Sequence, residues 1–135
     1  MDKSELIRLA FEAREHSYAP YSGFKVGAAL LASDGKIFLG SNVENASYGG
    51  SICAERAAAL RAVYEGSLKF SAIAIVGFAD GGEVNYCYPC GICRQFLREF
   101  ALPGMRVYTA RSADDIFESD LDSLLPHSFG PESLL

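Results

Sequence analysis

The chain has 135 residues, 50% of them apolar or aromatic and 21% charged, with a formal net charge of −5. That balance excludes a disordered or fibrous chain and fits one globular domain, residues 1–135, with a real core. The twelve basic residues are scattered without a Lys/Arg cluster, which disfavours a nucleic-acid partner and favours small neutral ligands.

In chain order, Ser4 to Ser17 reads as an amphipathic helix, with Leu6, Leu9, Ala10 and Ala13 on one face. Tyr18-Ala19-Pro20-Tyr21-Ser22-Gly23 ends it as a loop. Phe24 to Ala32 and Lys36 to Val43 are strand-like about a Ser33-Asp34-Gly35 turn, the pattern of a hairpin. The Ser- and Gly-rich stretch Asn45 to Ser51 leads into a helix from Cys53 to Tyr64, rich enough in alanine for close packing on a sheet, a helix or another subunit. Ser71 to Phe78 is an apolar run suited to a central strand. A loop through Gly81-Gly82 reaches Pro89, a third helix runs from Cys90 to Phe100, and Met105 to Ala110 is another strand. A weaker strand at Asp115 to Ser119 precedes a short Leu-rich helix and a tail at Phe129-Gly130-Pro131. This order predicts an α/β fold, a mixed sheet with helices on both faces. No apolar run approaches the roughly 20 residues of a bilayer span, and Met1-Asp2-Lys3-Ser4-Glu5 is too charged for a secretory signal. A cytoplasmic protein with no membrane partner is expected.

Four cysteines without a signal point to metal or thiol chemistry rather than to a disulfide framework. Cys53-Ala54-Glu55 opens one expected helix and Pro89-Cys90-Gly91-Ile92-Cys93 opens another. Two sulfurs from a Cys-x-x-Cys turn and a third from a second helix start make the three-ligand set of a catalytic zinc, which keeps a fourth position open. Helix N-termini favour the thiolate form. Three thiolates oppose activation of a bound water by donating charge to the metal, so compensation is expected from Arg56 and Arg94, each next to a motif residue. Glu55, two residues beyond Cys53, is placed to exchange protons with a substrate rather than to bind the metal. This constellation, including Pro-Cys-x-x-Cys, is the signature of zinc deaminases.

Other readings of these residues exist. Cys90-Gly91-Ile92-Cys93 alone would suit a thiol oxidoreductase. Cys87 adds another Cys-x-x-Cys with Cys90, so all four cysteines could close a non-catalytic zinc module; that alternative leaves Glu55 without a task. Asn42 and Glu44, two apart in an extended segment, present an amide and a carboxylate together, a pair suited to sugar hydroxyls. Phe24 is either core or a platform for a flat ring. His16 and His127 have no spacing that makes a metal site.

Taken together, Tyr18-Ala19-Pro20-Tyr21-Ser22, Val26-Gly27-Ala28-Ala29-Leu30, Asn42-Val43-Glu44-Asn45-Ala46, Cys53-Ala54-Glu55-Arg56, Pro89-Cys90-Gly91-Ile92-Cys93-Arg94-Gln95, Leu124-Leu125-Pro126 and Phe129 closely resemble the cytidine deaminases of free nucleosides. The resemblance spans nearly the whole chain. It implies a three-layer α/β/α fold with a five-stranded mixed sheet, and a homotetramer with one Zn2+ per subunit. It implies that Cys53, Cys90 and Cys93 hold the metal and that Glu55 shuttles protons. It further implies that Asn42 and Glu44 bind the ribose, that Phe24 and the Ala54 backbone meet the base, and that Tyr48 and Phe129 complete a neighbouring subunit's pocket. The implied reaction is hydrolysis of cytidine and 2′-deoxycytidine to the uridines, a step of pyrimidine salvage; a modified nucleoside such as blasticidin S is the rival substrate. One departure is Tyr88, where many relatives carry a small hydroxyl residue before the proline.

Overall fold

The computed structural model describes residues 2–135. Helix α1 (Lys3–Arg14) begins where the Asp2 carboxylate accepts from the Ser4 N–H at 3.2 Å, an N-cap that satisfies one orphan donor of the first turn. It stops three residues short of the expected end. His16 and Ser17 donate back to Ala13 and Arg14 in a tight turn, and Tyr18 is already bridged to Val43. Tertiary pairing there overrides the helical period.

Strands β1 (Phe24–Ala32) and β2 (Ile37–Ser41) form the expected antiparallel hairpin, and Gly35, at φ 87°, supplies the left-handed residue of the turn. After helix α2 (Ala54–Tyr64), strand β3 (Phe70–Ala79) pairs antiparallel with β1. Helix α3 (Gly91–Arg98) is the crossover that brings strand β4 (Ala101–Ser112) parallel to β3. Strand β5 (Asp115–Asp120) closes the edge antiparallel, and the short helix α4 (Leu121–Leu124) follows. The five-stranded mixed sheet has the order β2-β1-β3-β4-β5. Strand β4 starts earlier than the expected Met105 because Pro103-Gly104 is absorbed in a register shift opposite Phe70–Ala72.

Alternation along the strands builds the three layers. Ala29, Ala74 and Val76 face Leu6, Ile7 and Ala10 of α1 on one side. On the other, Leu30, Ile73, Ile75 and Val107 pack with Ala54, Ala58 and Ala62 of α2 and Leu97 of α3. The alanines of α2 are therefore used against the sheet of the same chain. Arg14, 2% exposed, caps the α1 layer: it lies 3.6 Å over the Phe78 ring and donates to the Phe78 carbonyl and to Asp80.

Gly40 sets the depth at which α2 meets the sheet. A methyl group there would stand 2.4 Å from the Ala54 carbonyl oxygen and 2.5 Å from the Ala58 nitrogen, both backbone atoms that cannot yield separately. Gly40→Ala is expected to destabilise the fold by about 1–3 kcal/mol, read as a lower urea midpoint at unchanged m-value. The same push displaces the N-terminus of α2, where the chemistry-bearing residues begin.

Candidate active site

Two helix starts meet on the α2/α3 side of the sheet. Cys53 is the N-cap residue of α2 and Cys90 that of α3, both in extended backbone, and neither uses its side chain to cap. An N-cap serine or aspartate would turn its oxygen back to the N–H groups of the first turn; these sulfurs are instead free to face each other. Cys93, in the first turn of α3, completes the set and is fully buried. The three sulfurs lie within 4.8 Å of one another, and the Cys53 and Cys90 sulfurs are 3.9 Å apart. Two thiolates bonded at about 2.3 Å to a tetrahedral zinc stand about 3.8 Å apart, so this donor set fits that ion and leaves its fourth position open. Among the described residues Cys87 does not join the group. Its sulfur packs where Gly77 has no side chain: a Cβ at Gly77 would stand 2.7 Å from it. Burial pushes the Cys87 thiol up to about 12, as expected of a thiol that stays protonated.

The Cys53 thiol ionises more readily than a free one. Hydrogen bonds from Cys93, Arg56 and Cys90 bring it down to about 5, while the hydrogen bond to Cys53 and burial raise the Cys93 thiol. The Arg56 guanidinium stands 3.5 Å from the Cys53 sulfur, and its buried Nε has no hydrogen-bond partner among the described residues. Arg94 does not meet the expectation. It donates to the Pro89 carbonyl and to the Leu124 carbonyl, each at 2.7 Å, and so ties the turn before Cys90 to the C-terminal segment instead of approaching sulfur. Its guanidinium reaches back along α3 to the carbonyl five residues earlier, where two oxygens converge. Of the two arginines, Arg56 is the one that bonds a sulfur, and Arg56→Gln is expected to weaken zinc binding about 10- to 100-fold, measured by competition with a chromogenic chelator.

Glu55 is 4% exposed beside the trio. Burial raises its carboxyl to about 7, with the Cys53 thiolate pushing the same way. A carboxyl poised near neutrality both accepts and releases a proton in the working range.

These groups open on a cavity of about 300 Å³ whose walls include Phe24, Asn42, Glu44, Cys53, Ala54 and Glu55. A second cavity of about 270 Å³ adjoins it, sharing Ser22, Glu44 and Ser51 and bounded by Tyr21 and Tyr48. Asn42 and Glu44 reach the same cavity, though β2 ends before them; Val43 between them is held by bridges to Tyr18 and Ile52. Both side chains are clamped. Asn42 accepts from the Val26 N–H at 2.9 Å and donates to the Phe24 carbonyl at 2.8 Å. Glu44 accepts from the Tyr21 and Ser22 N–H groups at 2.9 and 3.0 Å and from the Ser22 hydroxyl. Those bonds hold its carboxyl below the usual carboxylate range, the Ser22 hydroxyl foremost. Phe24 is 43% exposed, an accessible face rather than core. Tyr48 packs edge-on against Tyr21 and is 76% exposed, while Phe129, 59% exposed, lines neither cavity. Ser22 and Ser51 are cavity residues that sequence reasoning missed; a serine in the Tyr21-Ser22-Gly23 turn or after Gly49-Gly50 carries no chemical signal of its own.

A three-layer α/β/α sheet with a three-cysteine group and a buried glutamate at two helix starts defines the zinc-deaminase class. The family model of the cytidine and deoxycytidylate deaminase zinc-binding region matches residues 1–109, and the chain belongs to that family. It is 46% identical to a cytidine deaminase of Sporosarcina psychrophila over 134 residues, covering 99% of this chain and 96% of that protein. It is 45% identical to one of Halalkalibacterium halodurans, covering 99% and 98%. Among solved structures, the cytidine deaminase of Burkholderia pseudomallei superposes with a TM-score of 0.86 at 45% identity, covering 96% of this chain and 100% of that one. No helix among the described residues is long and apolar enough to cross a membrane.

Proposed function

We propose that the chain is a cytidine deaminase that hydrolyses cytidine and 2′-deoxycytidine to uridine and 2′-deoxyuridine with release of ammonia, a reaction of pyrimidine salvage carried by residues 1–135 as one domain. The observation that carries this reading is the buried Glu55 beside three convergent thiols at the wall of a nucleoside-sized cavity. Cys53, Cys90 and Cys93 hold one Zn2+. When bound, that ion would supply a water made more acidic than bulk water by the metal's charge. Glu55 takes one proton from the attacking water and delivers it to the ring nitrogen beside the reacting carbon, then carries the second proton, from the new hydroxyl on that carbon, to the departing amine. Arg56 offsets the thiolate charge.

Asn42 and Glu44 bind the ribose hydroxyls with what their clamps leave over. Three of about four carboxylate acceptor positions on Glu44 are taken, and one N–H and one lone pair remain on Asn42. Fixed in advance, both side chains lose little freedom when substrate binds. Phe24 stacks on the base and the Ala54 backbone meets its polar edge. Tyr48 and Phe129, exposed in the single chain, serve the pockets of neighbouring subunits in a homotetramer. The four-cysteine module is disfavoured by Cys87 standing outside the sulfur group.

The test is to strip the protein with a chelator, return Zn2+ stepwise and follow uridine by chromatography. Activity rising to a plateau at one zinc per chain is expected. Full activity in the stripped protein, or none at any zinc level, contradicts the reading.

A further inference from the structure

Tyr88 stands at the rim of the cavity, lining it while 46% exposed. Its ring is held from behind. It meets Phe117 of β5 edge-on, with centroids 5.9 Å apart and planes at 88°, and Tyr86 at 6.5 Å. Tyr86 and Phe117 are themselves 5.7 Å apart, so the three rings close a cluster. The cluster is anchored to the sheet edge: the Tyr86 hydroxyl donates to Asp115, which accepts from Arg111 Nε at 2.7 Å, and Arg111 lies 5.1 Å over the Tyr86 ring. A loop tyrosine packed against two rings that are themselves anchored is a wall, not a swinging lid.

The position of that wall relates it to the chemistry. Cys87, Tyr88 and Cys90 border the cavity from one short turn, and the last of these belongs to the sulfur trio. The reacting carbon of a cytosine and its exocyclic amine must come to this end, where Glu55 and the sulfurs are. We infer that Tyr88 is a specificity-determining residue: a fixed aromatic rim that admits an unsubstituted exocyclic amine and excludes cytosine nucleosides with a bulky group on that nitrogen. The inference rests on the deaminase reading. Its chemistry is unchanged by the substituent: water adds at the ring carbon, the carbon–nitrogen bond breaks, and the amine leaves with the proton.

The experiment compares kcat/KM for cytidine, N4-methylcytidine and N4-benzylcytidine in the zinc-loaded wild type and in Tyr88→Ser, Tyr88→Phe and Phe117→Ala. In Tyr88→Ser the ratio of N4-benzylcytidine to cytidine is expected to rise about tenfold or more, mostly through KM. Tyr88→Phe, which keeps the ring, is expected to hold the wild-type ratio. Phe117→Ala, which removes the support without touching the cavity lining, is expected to shift it part of the way. An unchanged ratio in both Tyr88→Ser and Phe117→Ala overturns the inference, as does an equal rise in Tyr88→Phe and Tyr88→Ser. Should Tyr88→Ser not fold, Phe117→Ala decides alone. Absence of cytidine turnover in the wild type strikes the deaminase reading instead.

Discussion

Glu55→Gln is expected to lower kcat by about 10²- to 10⁴-fold while the protein keeps its zinc and its melting temperature. The side chain is 4% exposed in the wall that faces the cavity, beside but not within the sulfur group. An amide of the same shape fills the same space, so packing is preserved. What it loses is the ability to accept a proton and give it back. Burial has brought the native carboxyl to about 7, where both directions are accessible near neutrality. The decisive comparison is kcat against zinc content in one preparation. A variant that loses metal in parallel with activity would mean that Glu55 acts as a ligand, and the assignment of roles would have to change.

The second large effect divides the four cysteines. Cys53→Ser, Cys90→Ser and Cys93→Ser are each expected to abolish stoichiometric zinc binding and turnover, since a serine hydroxyl is a far poorer soft-metal ligand than a thiolate. Cys87→Ser is expected to keep both. Its sulfur fills the space above Gly77 and stays protonated, so serine forfeits some apolar contact and a little stability but no metal bond. Metal analysis of the four purified variants, with the melting temperature of each, checks this directly. Loss of zinc in Cys87→Ser would restore the closed four-cysteine site.

Much of the site was legible because metal chemistry restricts residue type. Few side chains ligate zinc at neutral pH, and Cys53 with Cys90-x-x-Cys93 at two helix starts leaves little freedom. Arg94 was not legible. Its motif neighbours are the same kind as those of Arg56, but a long cation goes where carbonyls converge, and the meeting of Pro89 and Leu124 is a product of tertiary structure. Asn42 and Glu44 were readable as a pair facing one side; their bonds to Phe24, Val26, Tyr21 and Ser22 depend on how the loop after α1 returns to the sheet. The fold followed the sequence closely where β1 and β3 are apolar runs buried through most of their length. It departed at the end of α1 and the start of β4, where a bridge to Val43 and pairing opposite Phe70 outweigh local propensity. The aromatic support of Tyr88 lay beyond sequence altogether, since Phe117 meets it only through the pairing of β5 with β4.

The central claim is hydrolysis at the ring carbon that bears the amine. The most direct measurement incubates zinc-loaded protein with cytidine in water enriched in heavy oxygen and weighs the nucleoside product by mass spectrometry. Uridine carrying one heavy oxygen, formed with an equal amount of ammonia, is the predicted result. Unchanged cytidine, or uridine without the label, would contradict it.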